Sequence, residues 1–293
     1  MRVWAISDLH VDYEENMSWI AQLSQSDYSN DVLLVAGDIS DDIGLMERAL
    51  SLLMKRFGRV FFVPGNHDLW VRKGDAANSV EKFYSVLNCC AKVDVATEPE
   101  FIACDENGVT IVPLFAWYVK PEEGDDSLFL PKPGEDPSLG MWVDNYATSW
   151  PEMNGHEHVA DMFLSMNRQR INGPLQGTVI SFSHFLPRQE LIFPKGFVPG
   201  KTVTNYKDPA PSFNFSRVAG STRIDEQLRT AGASAHIYGH QHRDRYREIE
   251  DVIYISHGLG YPRERERKGI KDSDFLPLLI WECASGFKFY EEY

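Results

Sequence analysis

Short apolar, β-rich runs recur along the chain, each closed by Gly, Pro, Asn or Asp, and helical patterns lie between them. The runs Arg2–Ser7, Val32–Ala36, Val60–Val63, Val109–Pro113, Val179–Ser183, Ala235–Gly239 and Val252–Ser256 read as buried strands. Leu45, Ala49, Leu52, Leu53 and Phe57 fall at helical spacing, with Asp41 and Asp42 ahead of the first turn, and predict a helix. Val80, Phe83, Tyr84 and Leu87 predict a second; His158–Ile171 and Ser221–Thr230 predict a third and a fourth. Arg245–Ile255 around Glu250-Asp251, and Leu278–Tyr290 around Ser285-Gly286, read as hairpins. Early strand–helix alternation with late hairpins implies mixed sheets covered by helices.

One stretch breaks the alternation. Lys120 to Asp144 carries Pro, Gly and seven acidic residues against two lysines. Its Leu128, Phe129, Leu130, Met141 and Trp142 argue for order, since acidic disordered tails are poor in large apolar groups. It reads as an insertion or lid at about 119–150 within a single domain spanning residues 1–293. Net charge is −14, which argues against non-specific nucleic-acid binding. No apolar run approaches the roughly 20 residues that span a bilayer, so no membrane association is expected. The N-terminus reads directly as a strand rather than a leader. Four cysteines with no Cys-x-x-Cys, two of them the adjacent Cys89 and Cys90, make an implausible disulfide framework. They point to the cytoplasm or another reducing intracellular compartment. Oligomeric state is not set by the sequence.

The chemistry gathers at strand ends. Asp8-Leu9-His10 follows the first run, and in extended backbone residues i and i+2 share a face and can address one point. Gly37-Asp38 closes the second run and Pro64-Gly65-Asn66-His67-Asp68 follows the third. His184 closes Val179–Ser183; Gly239-His240-Gln241-His242 closes Ala235–Gly239, again with imidazoles at i and i+2. A lone histidine at a strand end is more often packed than ligating, and a lone aspartate more often caps a turn. Asp8, His10, Asp38, Asn66, His184, His240 and His242 taken together are not explained that way, because strand C-termini are where α/β folds assemble sites. Carboxylate, imidazole and amide oxygen suit Mn, Fe, Zn or Co, and the lack of cysteine argues against a structural zinc. Asp68 is a carboxylate able to orient His67.

In this order Asp-x-His, Gly-Asp, Gly-Asn-His-Asp, a later His and Gly-His-x-His resemble the motif set of the calcineurin-like metallophosphoesterases, from Asp8 to His242. The resemblance implies an α/β fold of mixed sheets, a four-layer αββα sandwich, here with the acidic Pro/Gly-rich insertion. It also implies two divalent ions (Mn, Fe, Zn, Co or Mg). By that similarity Asp8, His10, Asp38 and His242 hold one ion. Asp38 bridges to a second, held also by Asn66, His184 and His240. His67 faces the substrate as acid or phosphate donor, with Asp68 bonded behind it. Two cations roughly 3.5–4 Å apart convert a bridging water to hydroxide near neutral pH. The expected reaction is hydrolysis of a small phosphomonoester or phosphodiester by metal-bridging hydroxide, with imidazole suited to protonating the leaving alkoxide.

The substrate is less legible. Protein Ser/Thr phosphatases of this superfamily resemble Gly-Asp-x-x-Asp-Arg-Gly and Arg-Gly-Asn-His-Glu. This chain has Gly37-Asp38-Ile39-Ser40-Asp41-Asp42-Ile43 and Pro64-Gly65-Asn66-His67-Asp68, without either phosphate-clamping arginine. The loop after His184 carries Arg188, Lys195, Lys201, Lys207 and Arg217, and Arg188 is its candidate substrate-binding residue. The segments Ser183–Gln189 and Tyr261–Arg265 resemble those of uncharacterised plant and algal members, which brings no substrate. Arg263, Arg265, Arg267 and Lys268, interleaved with Glu264 and Glu266, read as a solvated charged loop. Two alternatives stand beside the hydrolase: a binding scaffold on the same fold without chemistry, and a nuclease.

Overall fold

The computed structural model describes residues 1–291 except 73, 105–106, 152–157, 172–174 and 197–210. In chain order the strands are β1 (Arg2–Ile6), β2 (Val32–Ala36), β3 (Arg59–Val63), β4 (Glu100–Cys104), β5 (Asn107–Pro113), β6 (Thr178–Phe182), β7 (Ala235–Tyr238), β8 (Arg245–Ile249), β9 (Val252–Ser256), β10 (Leu278–Glu282) and β11 (Gly286–Phe287). The helices are α1 (Glu14–Gln22), α2 (Ile43–Met54), α3 (Ser79–Lys92), α4 (Asp144–Ala147), α5 (Val159–Arg170), α6 (Arg223–Thr230) and α7 (Pro262–Lys268).

Two mixed sheets result, ordered β11-β10-β1-β2-β3 and β4-β5-β6-β7-β9-β8. Parallel pairing runs through β1, β2 and β3 in one sheet and through β5, β6, β7 and β9 in the other. The parallel strands are almost wholly buried, which explains their continuous apolar runs. Residues of both sheets share one hydrophobic core, and Trp117 and Tyr118 belong to it. Helix α2 begins where expected: the Asp42 side chain caps the amides of Gly44 and Leu45.

The pattern reading did not include β4, α1, α4 or α7. The edge strand β4 alternates half-buried and exposed residues, a weak signal beside the buried runs. The stretch read as a solvated charged loop is helix α7, with Pro262 in its first turn and Gly269 closing it at φ 70°. Arg265 is buried there, bonded to the Leu259 and Gly260 carbonyls and to Asn16 Oδ1.

The acidic segment after Val119 is ordered against the loop that follows β6. Leu128 and Leu139 are buried, Ser127 pairs with Ser221, and Arg217 is ion-paired to Glu123 and Glu135. Cysteine usage departs from expectation. Cys104 and Cys283 form a disulfide 179 residues apart in sequence, while Cys89 and Cys90 are free and buried. A reducing compartment therefore does not follow from the cysteines, because pairing across the sheets is invisible to local spacing. Among the described residues, no helix is long and apolar enough to cross a membrane.

Candidate metal centre

The ends of the parallel strands meet where the two sheets join. Ser7 donates its amide to the His257 carbonyl at 2.9 Å and accepts from Leu259 at 2.9 Å, tying the exit of β1 to that of β9. The Asp8 amide bonds Gly37 and the His10 amide bonds Asp38, drawing the exits of β1 and β2 together.

Extended geometry does not converge the side chains. Asp8, His10, Asp38, His240 and His242 all lie at positive φ, between 40° and 72°. For non-glycine residues such conformations cost on the order of 1 kcal/mol each and persist where the surroundings over-determine them. Left-handed kinks after the strands, not pleat alternation, turn the pairs Asp8/His10 and His240/His242 inward. Glycines make room: a Cβ on Gly65 would lie 2.2 Å from Asp38 Oδ1, and one on Gly37, at φ 84°, 2.3 Å from His184 Nδ1.

Asp8, His10, Asp38 and His242 each offer a ligand atom, and these atoms lie within 4.8 Å of one another. His10 Nε2 is 2.9 Å from His242 Nε2, and His242 Nε2 is 3.4 Å from Asp8 Oδ1. A second donor group adjoins it through Asp38, whose Oδ2 is 3.4 Å from His184 Nε2. His184 Nε2 is also 3.2 Å from Asn66 Oδ1 and 3.2 Å from His240 Nδ1. All seven donor residues named from the sequence are thus brought together.

The outward ring nitrogens settle which atoms face inward. His184 Nδ1 donates to the Ala36 carbonyl at 2.9 Å, and His240 Nε2 to the Val218 carbonyl at 3.0 Å. His242 Nδ1 donates to Glu264 Oε2 at 2.8 Å. In neutral rings the inward nitrogens are then bare lone pairs facing one another and the carboxylates, an arrangement that a divalent cation satisfies. Burial, first of all, holds His10, His184 and His240 below the usual imidazole range. Burial also raises the Asp38 carboxyl, together with the charges of Asp68 and Asp8. His242 differs: burial opposes its charge, but Asp8 and Glu264 outweigh that and lift it to about 10. Its surroundings favour positive charge, which a cation held there would supply in place of a proton.

His67 is 19% exposed and stands at the edge of the cluster, its Nε2 3.9 Å from Asp38 Oδ2. Its ring lies against Trp70, centroids 3.7 Å apart. Burial, followed by the imidazoles of His242, His184 and His240, holds its pKa well below 6.5.

Asp68 does not sit behind His67. Its Oδ2 accepts from the amides of Asp38 (2.8 Å) and Gly65 (2.7 Å), and its Oδ1 from Ile39 (2.8 Å) and Ser40 (2.9 Å). Four backbone donors occupy the carboxylate, so it fixes the loop that presents Asp38. Arg188 is likewise not delivered to the centre. Its guanidinium binds Glu190 at 2.8 Å, Glu250 at 2.9 Å and Asp225 at 3.2 Å. Of the other cations in that loop, Arg217 is paired, and Lys201 and Lys207 lie outside the described residues.

Glu264, Asp144, Trp70 and Tyr261 also belong to the surroundings of the centre and were not read from sequence. Glu264 had a local signal: it lies three residues after Tyr261 and two after Pro262, capping-box spacing, and it does accept the Tyr261 amide at 3.0 Å. Tyr261 packs on His10, centroids 4.6 Å apart. Asp144 reaches Asn66 across 78 residues of chain, and no local pattern marks it.

Residues 1–244 match the calcineurin-like phosphoesterase family, and the chain belongs to it. It is a metal-dependent phosphoric ester hydrolase with the mixed α/β fold of that family. The chain is 28% identical over 291 residues to the acyl-carrier-protein phosphodiesterase PptH of Mycobacterium tuberculosis, covering 91% of this chain and 80% of that one. The crystal structure of the phosphopantetheinyl hydrolase PptH from Mycobacterium tuberculosis has the same fold, with a TM-score of 0.71 at 24% identity over 95% of each chain.

Proposed function

We propose that this chain hydrolyses a phosphodiester carried on a protein, a phosphopantetheinyl group being the substrate class, at two divalent cations. The observation that carries the two-cation reading is the sharing of Asp38. One oxygen, Oδ2, lies 3.9 Å from His10 Nε2 in the first donor group and 3.4 Å from His184 Nε2 in the second. Asp8, His10, Asp38 and His242 would hold one cation, and Asp38, Asn66, His184 and His240 the other. Bound divalent cations supply Lewis acidity, activating water and withdrawing charge from phosphoryl oxygens.

The chain's own residues do the rest. His184, His240 and His242 keep their protons on the outward nitrogens. Glu264 fixes the tautomer of His242. His67, held neutral by burial and the surrounding imidazoles, offers an N–H to an oxygen of the substrate. A phosphoryl anion beside it favours the protonated ring, which can release its proton to the leaving oxygen.

The diester follows from two considerations. A diester carries less charge than a monoester dianion and has less need of the guanidinium clamp that Arg188, engaged by three carboxylates, does not provide. The relative named an acyl-carrier-protein phosphodiesterase supports a protein-borne substrate over the small molecule expected from sequence.

The test compares the Mn-loaded protein on p-nitrophenyl phosphate, bis-p-nitrophenyl phosphate and a carrier protein bearing phosphopantetheine, with loss of the group read by mass spectrometry. Cleavage of the carrier and the diester over the monoester is expected. Hydrolysis of the monoester alone, or of none of the three with metal bound, rejects the proposal.

A further inference from the structure

Asp144 belongs to neither donor group, yet it is 1% exposed and its Oδ1 accepts two hydrogen bonds at the edge of the centre. One comes from Asn66 Nδ2 at 2.9 Å and the other from Trp70 Nε1 at 2.7 Å. A carboxylate can only accept and an indole N–H can only donate, so both partners' orientations are fixed. Asn66 must turn its NH2 toward Asp144, and this directs its Oδ1 to His184 Nε2, 3.2 Å away. The indole of Trp70 is held against the ring of His67.

The same segment touches the second donor group again. Trp142, two residues before Asp144, meets the His240 ring edge-on at 5.7 Å and stacks on Phe213 at 5.4 Å. Its indole N–H reaches the Tyr118 hydroxyl at 3.3 Å. These contacts fall on Asn66, His240 and the seat of His67, and none of them on Asp8, His10 or His242.

We infer that Asp144 is a positioning residue through which the acidic segment sets the amide of Asn66 for the second cation and the ring of His67 for the substrate. The inference rests on the two-cation reading above. It gives the segment a task at one half of the centre, with the other half built without it.

Calorimetric titration of the metal-stripped full chain with Mn2+ tests this, alongside Asp144→Ala and Asp144→Asn. In the alanine variant one binding event is expected to keep its parental affinity and the other to weaken about 10–100-fold. Asp144→Asn, which keeps an acceptor oxygen and the side-chain volume, falls between. Thermal melts of the stripped proteins separate this from loss of structure, which would weaken both events together. Two parental affinities in the alanine variant, or both weakened alike, overturn the inference. Should that variant not fold, the asparagine variant reads the same quantity, and an unchanged second event there overturns it. A parent that takes up a single Mn2+ overturns the two-cation reading and this inference with it. Failure on the carrier substrate alone rejects the proposed substrate and leaves the titration to decide.

Discussion

Asp68 holds Asp38 by the backbone: its Oδ2 accepts the Asp38 amide at 2.8 Å and the Gly65 amide at 2.7 Å. With Ile39 and Ser40 on Oδ1, one buried carboxylate ties the second strand's exit to the turn after the third. Asp68→Asn keeps one acceptor oxygen and turns an NH2 toward two amides. It is expected to lower stability by about 3 kcal/mol, measured by urea unfolding of the metal-stripped protein. Were Asp68 an orienter of His67, stability would hold and only the pH–rate profile would change.

His67 touches the centre without joining either donor group. His67→Gln is expected to lower kcat by about 10²- to 10⁴-fold while the Mn2+ content per chain stays parental. Mass-spectrometric metal analysis beside steady-state kinetics checks it, and loss of metal in step with activity would make His67 a ligand instead.

His236 lies away from the donor atoms, its ring between Ser181 Oγ at 2.8 Å and Ser183 Oγ at 3.0 Å. Burial lowers its pKa from 6.5 to about 3. The unfolded chain takes up this proton before the folded one, so the stabilisation is fully present above pH 6.5. It is lost progressively as pH falls toward 3. Replacing His236 with Gln is expected to flatten the dependence of melting temperature on pH in that window, relative to the parent. Parallel curves would reject the assignment.

The Cys104–Cys283 disulfide joins the end of β4 to the residue after β10, where the Cys283 amide bonds the Met1 carbonyl. This is the opposite end of β1 from Asp8. Cys104→Ser is expected to cost about 2–5 kcal/mol of stability and to leave kcat/KM unchanged. Chemical denaturation of the variant, and of the parent with and without reductant, together with kinetics of each, decide it.

The sequence by itself determined the buried strands and the candidate donors, since both are local properties; the half-exposed edge strand β4 has no such signal. A strand buried on both faces must be apolar throughout, and a polar residue straight after such a run stands at the sheet edge where sites form. Asp8, His10, Asp38, Asn66, His184, His240 and His242 could be named on that ground. What those residues bond to is a different kind of question. Glu264 is 22 residues from His242, and Asp144 is 78 from Asn66. Asp68 turned from a neighbour of His67 into the anchor of Asp38, and Arg188 was engaged by carboxylates that other elements bring up. The left-handed backbone at five donors and the disulfide across 179 residues belong to the same class. These outcomes are set by which chain segments pack together, and the folded chain decides them because a polar group excluded from water must take whatever partner packing supplies.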